Sequence, residues 1–349
     1  EELPGDRTTP ESPELQSLLH QMAQADRGTG MVVAIEVSSH ALAQDRTLGA
    51  EFDVGVFTNL TQDHLDYHGS MEEYFRAKRR LFTQYPEEST KPFHAIVNRD
   101  DPYGRRLEQE AAGIVWSYGV ESEALLQAWN IQATASGLAY TLRTPDGEAP
   151  IRLALGGLFN VANSLAAAGA ARALGLSWET IRLGLEAAPA APGRFESVNE
   201  GQEFGVLVDY AHTPDGLLNV LESARALQPR RLLVVFGCGG DRDRTKRPIM
   251  AGIAARLADH AIITSDNPRT EDPTAIVQEI AAGLTPEAPH DVIVDRRAAI
   301  RHAIQSAGPG DLVVIAGKGH ETYQIFADGT IHFDDREEAR AALRARRSG

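Results

Sequence analysis

In the second half of the chain the hydrophobic positions fall into short blocks at even intervals. Val206–Asp209, Leu232–Phe236, Ala261–Thr264, Val292–Val294 and Leu312–Ala316 are apolar, β-rich runs. Between them Gly216–Leu227, Ile249–Leu257, Thr274–Leu284 and Arg297–Ala307 carry helical character. Strands alternating with helices predict a doubly wound, mostly parallel sheet. The first half is less regular. Ser12-Pro13-Glu14 predicts a helix start, with Ser12 as the cap, running to about Ala25. Met31–Val37, between Gly30 and Ser38-Ser39, predicts a buried strand, and Val54–Thr58 a second. Met71, Tyr74, Phe75, Lys78 and Leu81 recur at helical spacing, which predicts a helix over Ser70–Phe82. Ala95–Asn98 predicts another strand and Pro102 the start of another helix. Residues 125–155 alternate and carry Gly and Pro, which predicts antiparallel strands; Val161–Leu174 is Ala-rich and helical. The expected fold class is α/β, with a boundary near Pro192-Gly193 and hence domains over 1–192 and 193–349. No internal repeat is evident.

A length of 349 residues supports two domains at about 150 residues each. Gly (31) and Pro (18) occur at ordinary frequency, which excludes collagen-like and low-complexity classes. No run reaches the roughly 18 apolar residues of a membrane helix. The single cysteine, Cys238, excludes an intrachain disulfide and a Cys-rich zinc site, as suits a reducing compartment. A net charge of −15 argues against general binding of nucleic acid or anionic membrane.

Candidate chemistry lies directly after the strands. In a doubly wound sheet ligands bind beyond the carboxyl ends of the strands. Here those ends carry Asp209-Tyr210-Ala211-His212, Gly237 to Arg242, Ser265-Asp266-Asn267-Pro268-Arg269 and Gly317-Lys318-Gly319-His320-Glu321. Four polar loops on one edge predict a polar pocket. Lys318 and His320 taken singly read equally well as a polar loop between glycines. In the first half Glu36 ends an apolar run among hydroxyls; it suits a divalent cation or phosphate site, or equally caps the next helix. The stretch Thr58–Gly69 holds two Asp and two His within six residues, His64 among them. Its spacing matches no zinc signature, so oxygen-ligated Mg²⁺ with a phosphate is the better expectation. Lys78, within Arg76–Arg80, reads locally as part of a solvated basic face.

The strings EVSSHAL, FTNLTQDHLDYHGSMEEYFRAKRRLF, VDYAHTPDGL, GCGGDRDRTKRPIM, SDNPR and GKGHE closely resemble the Mur ligases, in order, from about Thr8 to Arg340. The resemblance is strongest to the branch that adds diaminopimelate to UDP-N-acetylmuramoyl-L-alanyl-D-glutamate. It implies a cytoplasmic, monomeric ligase of peptidoglycan precursor synthesis using ATP and Mg²⁺, with no nucleic-acid or membrane partner. ATP phosphorylates a substrate carboxylate, and the incoming amine attacks the acyl phosphate. It also implies roles. Glu36 and His64 hold Mg²⁺, and Lys78 becomes a carbamate that can ligate a second Mg²⁺, reversing its local reading. Thr8, Thr9, Ser38, Gln44 and Arg46 hold the UDP-muramoyl-dipeptide. Asn163, Arg194, Asp209 and His212 serve ATP. Arg242, Asp266, Asn267, Arg269, Gly317 and Glu321 take diaminopimelate, where a guanidinium reads the second carboxylate that lysine lacks.

Full members of that family carry an N-terminal uridine-binding domain and a Gly-rich phosphate loop ahead of the matching region. No G-x-x-x-x-G-K-[ST] occurs in the 349 residues; Gly317-Lys318 is followed by Gly319. The expectation is an N-terminally truncated copy. Its central sheet lacks the first strand and the helix after it, exposes apolar surface, and releases negligible phosphate by itself. Alternatives are a lysine-adding relative, a folylpolyglutamate synthetase, and a non-catalytic remnant that only binds ligands. Arg269 argues against the first, and the Asp63–Lys78 stretch and GKGHE against the second.

Overall fold

The computed structural model describes residues 7–26, 28, 30–134, 137–285 and 287–348. They divide into two compact units. The first comprises the residues up to Trp129 with Leu142–Glu148 and Ala162–Ile181; the second comprises Asn130–Thr141, Ala149–Val161 and the chain from Arg182.

The first half contains strands β1 (Val54–Phe57), β2 (His94–Asn98), β3 (Ile114–Gly119), β4 (Leu126–Thr134), β5 (Gly137–Thr144) and β6 (Gly147–Leu153), in that spatial order. β1, β2 and β3 are parallel. Their apolar face packs on Phe75 and Phe82 from the helix Met71–Arg79 and the turn after it, with Leu42, Phe93 and Leu107. That helix starts where Ser70 Oγ accepts the Glu73 amide at 3.2 Å. Asp101 likewise accepts the Tyr103 and Gly104 amides and starts Pro102–Glu110. The first helix does run over Ser12–Ala25, but Ser12 is its first helical residue and Glu11 stands at the cap without a side-chain bond.

The strand expected over Met31–Val37 does not form. These residues join no ladder, and Val32 is 68% exposed. An apolar run becomes a strand only when a neighbouring backbone accepts and donates its hydrogen bonds. Among the described residues none does so. β1 ends the sheet order, and a groove of about 330 Å³ lies along it, lined by Leu15, Leu19, Val32, Val33, Phe52 and Val54.

The second half contains β7 (Glu196–Ser197), β8 (Gly205–Asp209), β9 (Leu232–Phe236), β10 (His260–Ile263), β11 (His290–Val292) and β12 (Leu312–Ala316), ordered β11-β10-β9-β12-β8-β7. All pairs are parallel except β7 with β8. β9 and β12 are buried at every position. Leu232, Val234 and Phe236 enter one apolar layer and Leu233 and Val235 the other, so a continuous hydrophobic run serves both faces. Thr213, Asp272 and Asp295 cap the helices Pro214–Ala226, Pro273–Ala281 and Arg296–Ser306. β11 begins two residues earlier than its apolar run, because the Pro289 carbonyl already accepts the Ala261 amide. The hairpin β13 (Tyr323–Phe326) and β14 (Gly329–His332) and the helix Asp335–Ser348 complete this half. The hairpin has no signal in the hydrophobic pattern, since β14 is exposed throughout.

Candidate active site

In the first unit Thr9 is the anchor. Its buried hydroxyl donates to the Glu36 carbonyl at 2.8 Å and accepts the Ser38 amide at 2.9 Å. This fixes the segment that ends in Ser38, whose Oγ accepts the Ala41 amide and caps the helix Ser39–Ala43. Arg46 is 6% exposed. Its guanidinium reaches Gln44 Oε1 at 2.5 and 3.0 Å and the Thr9 carbonyl at 3.3 Å. Gln44 also donates to Tyr67 Oη. Thr8 is exposed beside Thr9. Thr9, Ser38, Gln44 and Arg46 therefore form one hydrogen-bonded group, with Thr9 and Arg46 buried, whose guanidinium has the chemistry for phosphate or carboxylate.

Lys78 is not the freely solvated cation its local sequence suggests. Burial pulls its ammonium below the ordinary lysine value, against the opposing charges of Glu36 and Asp63. Its Nζ lies 5.4 Å over the Tyr74 ring. His64 has left-handed backbone (φ 54°), and its amide donates to the Asp63 carboxylate at 2.8 Å. Its imidazole is edge-on to His40, with centroids 4.9 Å apart. Among the described residues no three His, Cys, Asp or Glu side chains are gathered to hold a metal. Glu36 and His64 alone are an incomplete set, and an ammonium cannot ligate. A carbamate on Lys78 would supply the missing anionic oxygens, so the donor chemistry fits Mg²⁺ in that form.

The second unit gathers its candidates at the ends of β8, β9, β10 and β12. Asp209 closes β8. Its carboxylate accepts the Phe195 amide at 2.7 Å and the Ala211 amide at 2.8 Å. Burial raises its pKa, against those two amides and the charges of Arg194 and His212. The Arg194 guanidinium stacks 4.6 Å over Tyr210, whose ring also meets His212 and His320 at 4.6 and 5.2 Å. Asn163 lies in the first unit, exposed on the helix Phe159–Ala173.

Beyond β10, Asp266 and Asn267 are buried, and Arg269 turns left-handed (φ 54°) and donates to the Gly240 carbonyl at 2.8 Å. Arg269 is thus aimed by a backbone turn after Pro268 and by the loop after β9. Arg242, on that loop, is exposed and donates to the neighbouring Asp241 carbonyl. Gly317 begins the loop after β12 at φ +125°, and its amide donates to the Asp209 carbonyl. A Cβ there would stand 3.0 Å from Asp266 Oδ2. Asn267 Nδ2 donates to Glu321 Oε2 at 3.0 Å, joining the two loops.

Two residues at this centre stand out from the sequence-level candidates. Lys318 is fully buried, and its ammonium contacts Asn267 and Glu321 at 3.0 Å and Asp266 at 3.5 Å. Gln324 donates to Ser265 Oγ at 2.9 Å and the Asp266 carbonyl at 2.6 Å. A lysine between glycines carries a weak signal of such burial, and a glutamine on an unmarked hairpin carries none.

Among the described residues no helix is long and apolar enough to cross a membrane. Residues 2–171 match the family model of the Mur ligase middle domain, and 193–319 that of the Mur ligase glutamate ligase domain. A UDP-N-acetylmuramoyl-L-alanyl-D-glutamate–2,6-diaminopimelate ligase from Geobacillus kaustophilus is 51% identical over 98% of this chain and 70% of its own length. One of the same description from Thermosynechococcus vestitus is 51% identical over 97% of this chain and 67% of its own. A solved structure of a ligase so described superposes with a TM-score of 0.65 at 36% identity, covering 97% of this chain and 69% of the other.

Proposed function

The chain belongs to the Mur ligase family of ATP-dependent ligases, and on that footing we propose that its reaction adds meso-diaminopimelate to UDP-N-acetylmuramoyl-L-alanyl-D-glutamate during cytoplasmic peptidoglycan precursor synthesis. The γ-phosphate of ATP passes to the terminal glutamate carboxylate. The amine of diaminopimelate attacks the acyl phosphate, and the tetrahedral adduct collapses to amide and phosphate, leaving ADP. Little covalent work falls to the protein, so positioning and charge neutralisation dominate.

In this reading the domain over 1–192 serves the carboxylate to be activated. Thr8, Thr9, Ser38, Gln44 and Arg46 bind the muramoyl-dipeptide, and the Arg46 fork is held ready by Gln44 and the Thr9 carbonyl. Burial favours the neutral amine of Lys78, the form that takes up CO₂. Glu36, His64 and that carbamate would hold Mg²⁺, which would supply positive charge against the phosphates. The domain over 193–349 serves the amine. Asn163, Arg194, Asp209 and His212 are assigned to ATP. Arg269 and Arg242 recognise the second carboxylate, and Asp266, Asn267, Gly317 and Glu321 the rest of the amino acid. The protein acts as a monomer on small molecules, without nucleic acid or membrane.

One observation supports the substrate assignment: the Asn267–Glu321 bond ties the loop after β10 to the loop after β12 in one polar centre, and the same Asp266–Arg269 loop carries a buried carboxylate and a guanidinium. Titration calorimetry of the chain with meso-diaminopimelate and with L-lysine tests it. Saturable heat is expected from the first alone; equal affinity for both removes the specificity argument.

A further inference from the structure

Lys318 is an unusual residue to bury. Its Nζ is fully enclosed and has three N–H bonds to place. Three side-chain oxygens surround it: Asn267 Oδ1 and Glu321 Oε2 at 3.0 Å each, and Asp266 Oδ1 at 3.5 Å. The Tyr323 ring lies 5.4 Å away. Burying an ammonium is costly, and apolar packing often serves stability as well or better. The arrangement therefore calls for a role beyond holding the fold.

The hydrogen bonds around it form a directed chain. Asn267 Oδ1 accepts from Lys318 Nζ and from the Ile325 amide at 3.1 Å. With two donors facing it, that atom must be the oxygen. The Asn267 amide nitrogen is thereby forced toward Glu321, where it donates to Oε2 at 3.0 Å. Oε2 also accepts from Lys318, so it carries two internal donors. Glu321 Oε1 takes no hydrogen bond from any described residue. The charges point the same way. Lys318, Asp266 and Glu321 together carry one negative charge, and the buried Arg296–Asp335 pair that also acts on those carboxylates carries none, so one further ammonium would balance the cluster.

We infer that Lys318 is a positioning residue for the amino-acid substrate. It turns Asn267, ties down one oxygen of Glu321, and leaves the other for a ligand ammonium. The inference rests on the proposed function and deepens it. The ligand class is an amino acid bearing a second ammonium as well as a second carboxylate, with the distal ammonium placed on Glu321 Oε1. Lys318 itself does not touch the ligand.

The test is calorimetric affinity for meso-diaminopimelate and for 2-aminopimelate, which keeps both carboxylates but has only one ammonium. Wild type, Lys318→Met and Lys318→Arg are compared, with thermal melting as the check of folding. Wild type is expected to favour meso-diaminopimelate by at least about tenfold, the worth of one charged hydrogen bond. In Lys318→Met that preference falls to less than about threefold, because Glu321 is no longer fixed. Lys318→Arg keeps the charge but presents a planar fork, so its preference falls as well. If Lys318→Met does not fold, Lys318→Arg carries the test. A merely structural lysine would weaken both ligands alike and leave the ratio unchanged. An unchanged ratio in a folded variant overturns the proposal. So does a wild type that binds both ligands equally, while leaving the dicarboxylate reading in place. A wild type that binds neither overturns the functional reading and this inference together.

Discussion

Gly193 and Gly319 meet backbone against backbone. A Cβ on Gly193 would lie 2.1 Å from the Gly319 carbonyl carbon and from the His320 amide nitrogen. One on Gly319 would lie 2.6 Å from the Gly193 carbonyl oxygen and 2.7 Å from Tyr210 Cβ. Both glycines have positive φ, at 65° and 53°. The segment that leads to Arg194 is thus held against the loop that carries Lys318 and Glu321.

Neither neighbour can yield, because backbone rather than a side-chain tip fills the space. Gly193→Ala is expected to destabilise the second unit by on the order of 2–4 kcal/mol. It should also weaken amino-acid binding, since the Gly317–Glu321 loop must move. Denaturant melts together with titration of meso-diaminopimelate check both effects; a neutral variant would mean that the two segments separate freely.

Asp311 gives the fold an acid-sensitive point. Its carboxylate is buried, which alone would raise its pKa, but Arg231, the Gly308 amide and Arg230 hold it down at about 2. The folded value lies below the unfolded one, so the stabilisation is complete above about pH 4 and is lost as pH falls toward 2. It amounts to about 2 kcal/mol. Asp311→Asn should therefore lower stability at neutral pH and flatten the acid limb of the stability curve. An acid limb as steep as that of wild type would show that other carboxylates dominate there.

Lys78 is expected to take up CO₂. With ¹³C-labelled bicarbonate the wild-type protein should give a carbamate carbon signal by NMR, and Lys78→Arg should give none. The signal should weaken as pH falls, because protonation withdraws the reactive amine. A spectrum identical in both proteins would leave Lys78 as an ordinary buried cation.

Arg269 is expected to supply most of the discrimination for a second carboxylate. Arg269→Ala should lower affinity for meso-diaminopimelate by about 30- to 150-fold, from the loss of a charged hydrogen-bond pair worth about 2–3 kcal/mol. Lysine binding should change little. Calorimetry reads both, and parallel losses would assign Arg269 to holding the Gly240 loop instead.

The hydrophobic pattern by itself determined the doubly wound half of the molecule. β9 and β12 occupy the ranges their apolar runs mark, because a strand buried on both faces needs apolar side chains at every position. The helices expected from Gly216 and Thr274 are present but begin at Pro214 and Pro273, where Thr213 and Asp272 cap them. With strand ends known, the edge on which the polar loops gather was readable too. Tertiary structure alone decided the rest. Met31–Val37 has a strand's composition but no ladder, because pairing belongs to the neighbour as much as to the segment. Arg247 and Arg296 are fully buried, and Glu271, Glu279 and Asp335, distant in sequence, receive them. Lys318 turned from loop residue to buried centre for the same reason. A charge can leave water only where partners from other segments converge, and that convergence is a property of the folded chain.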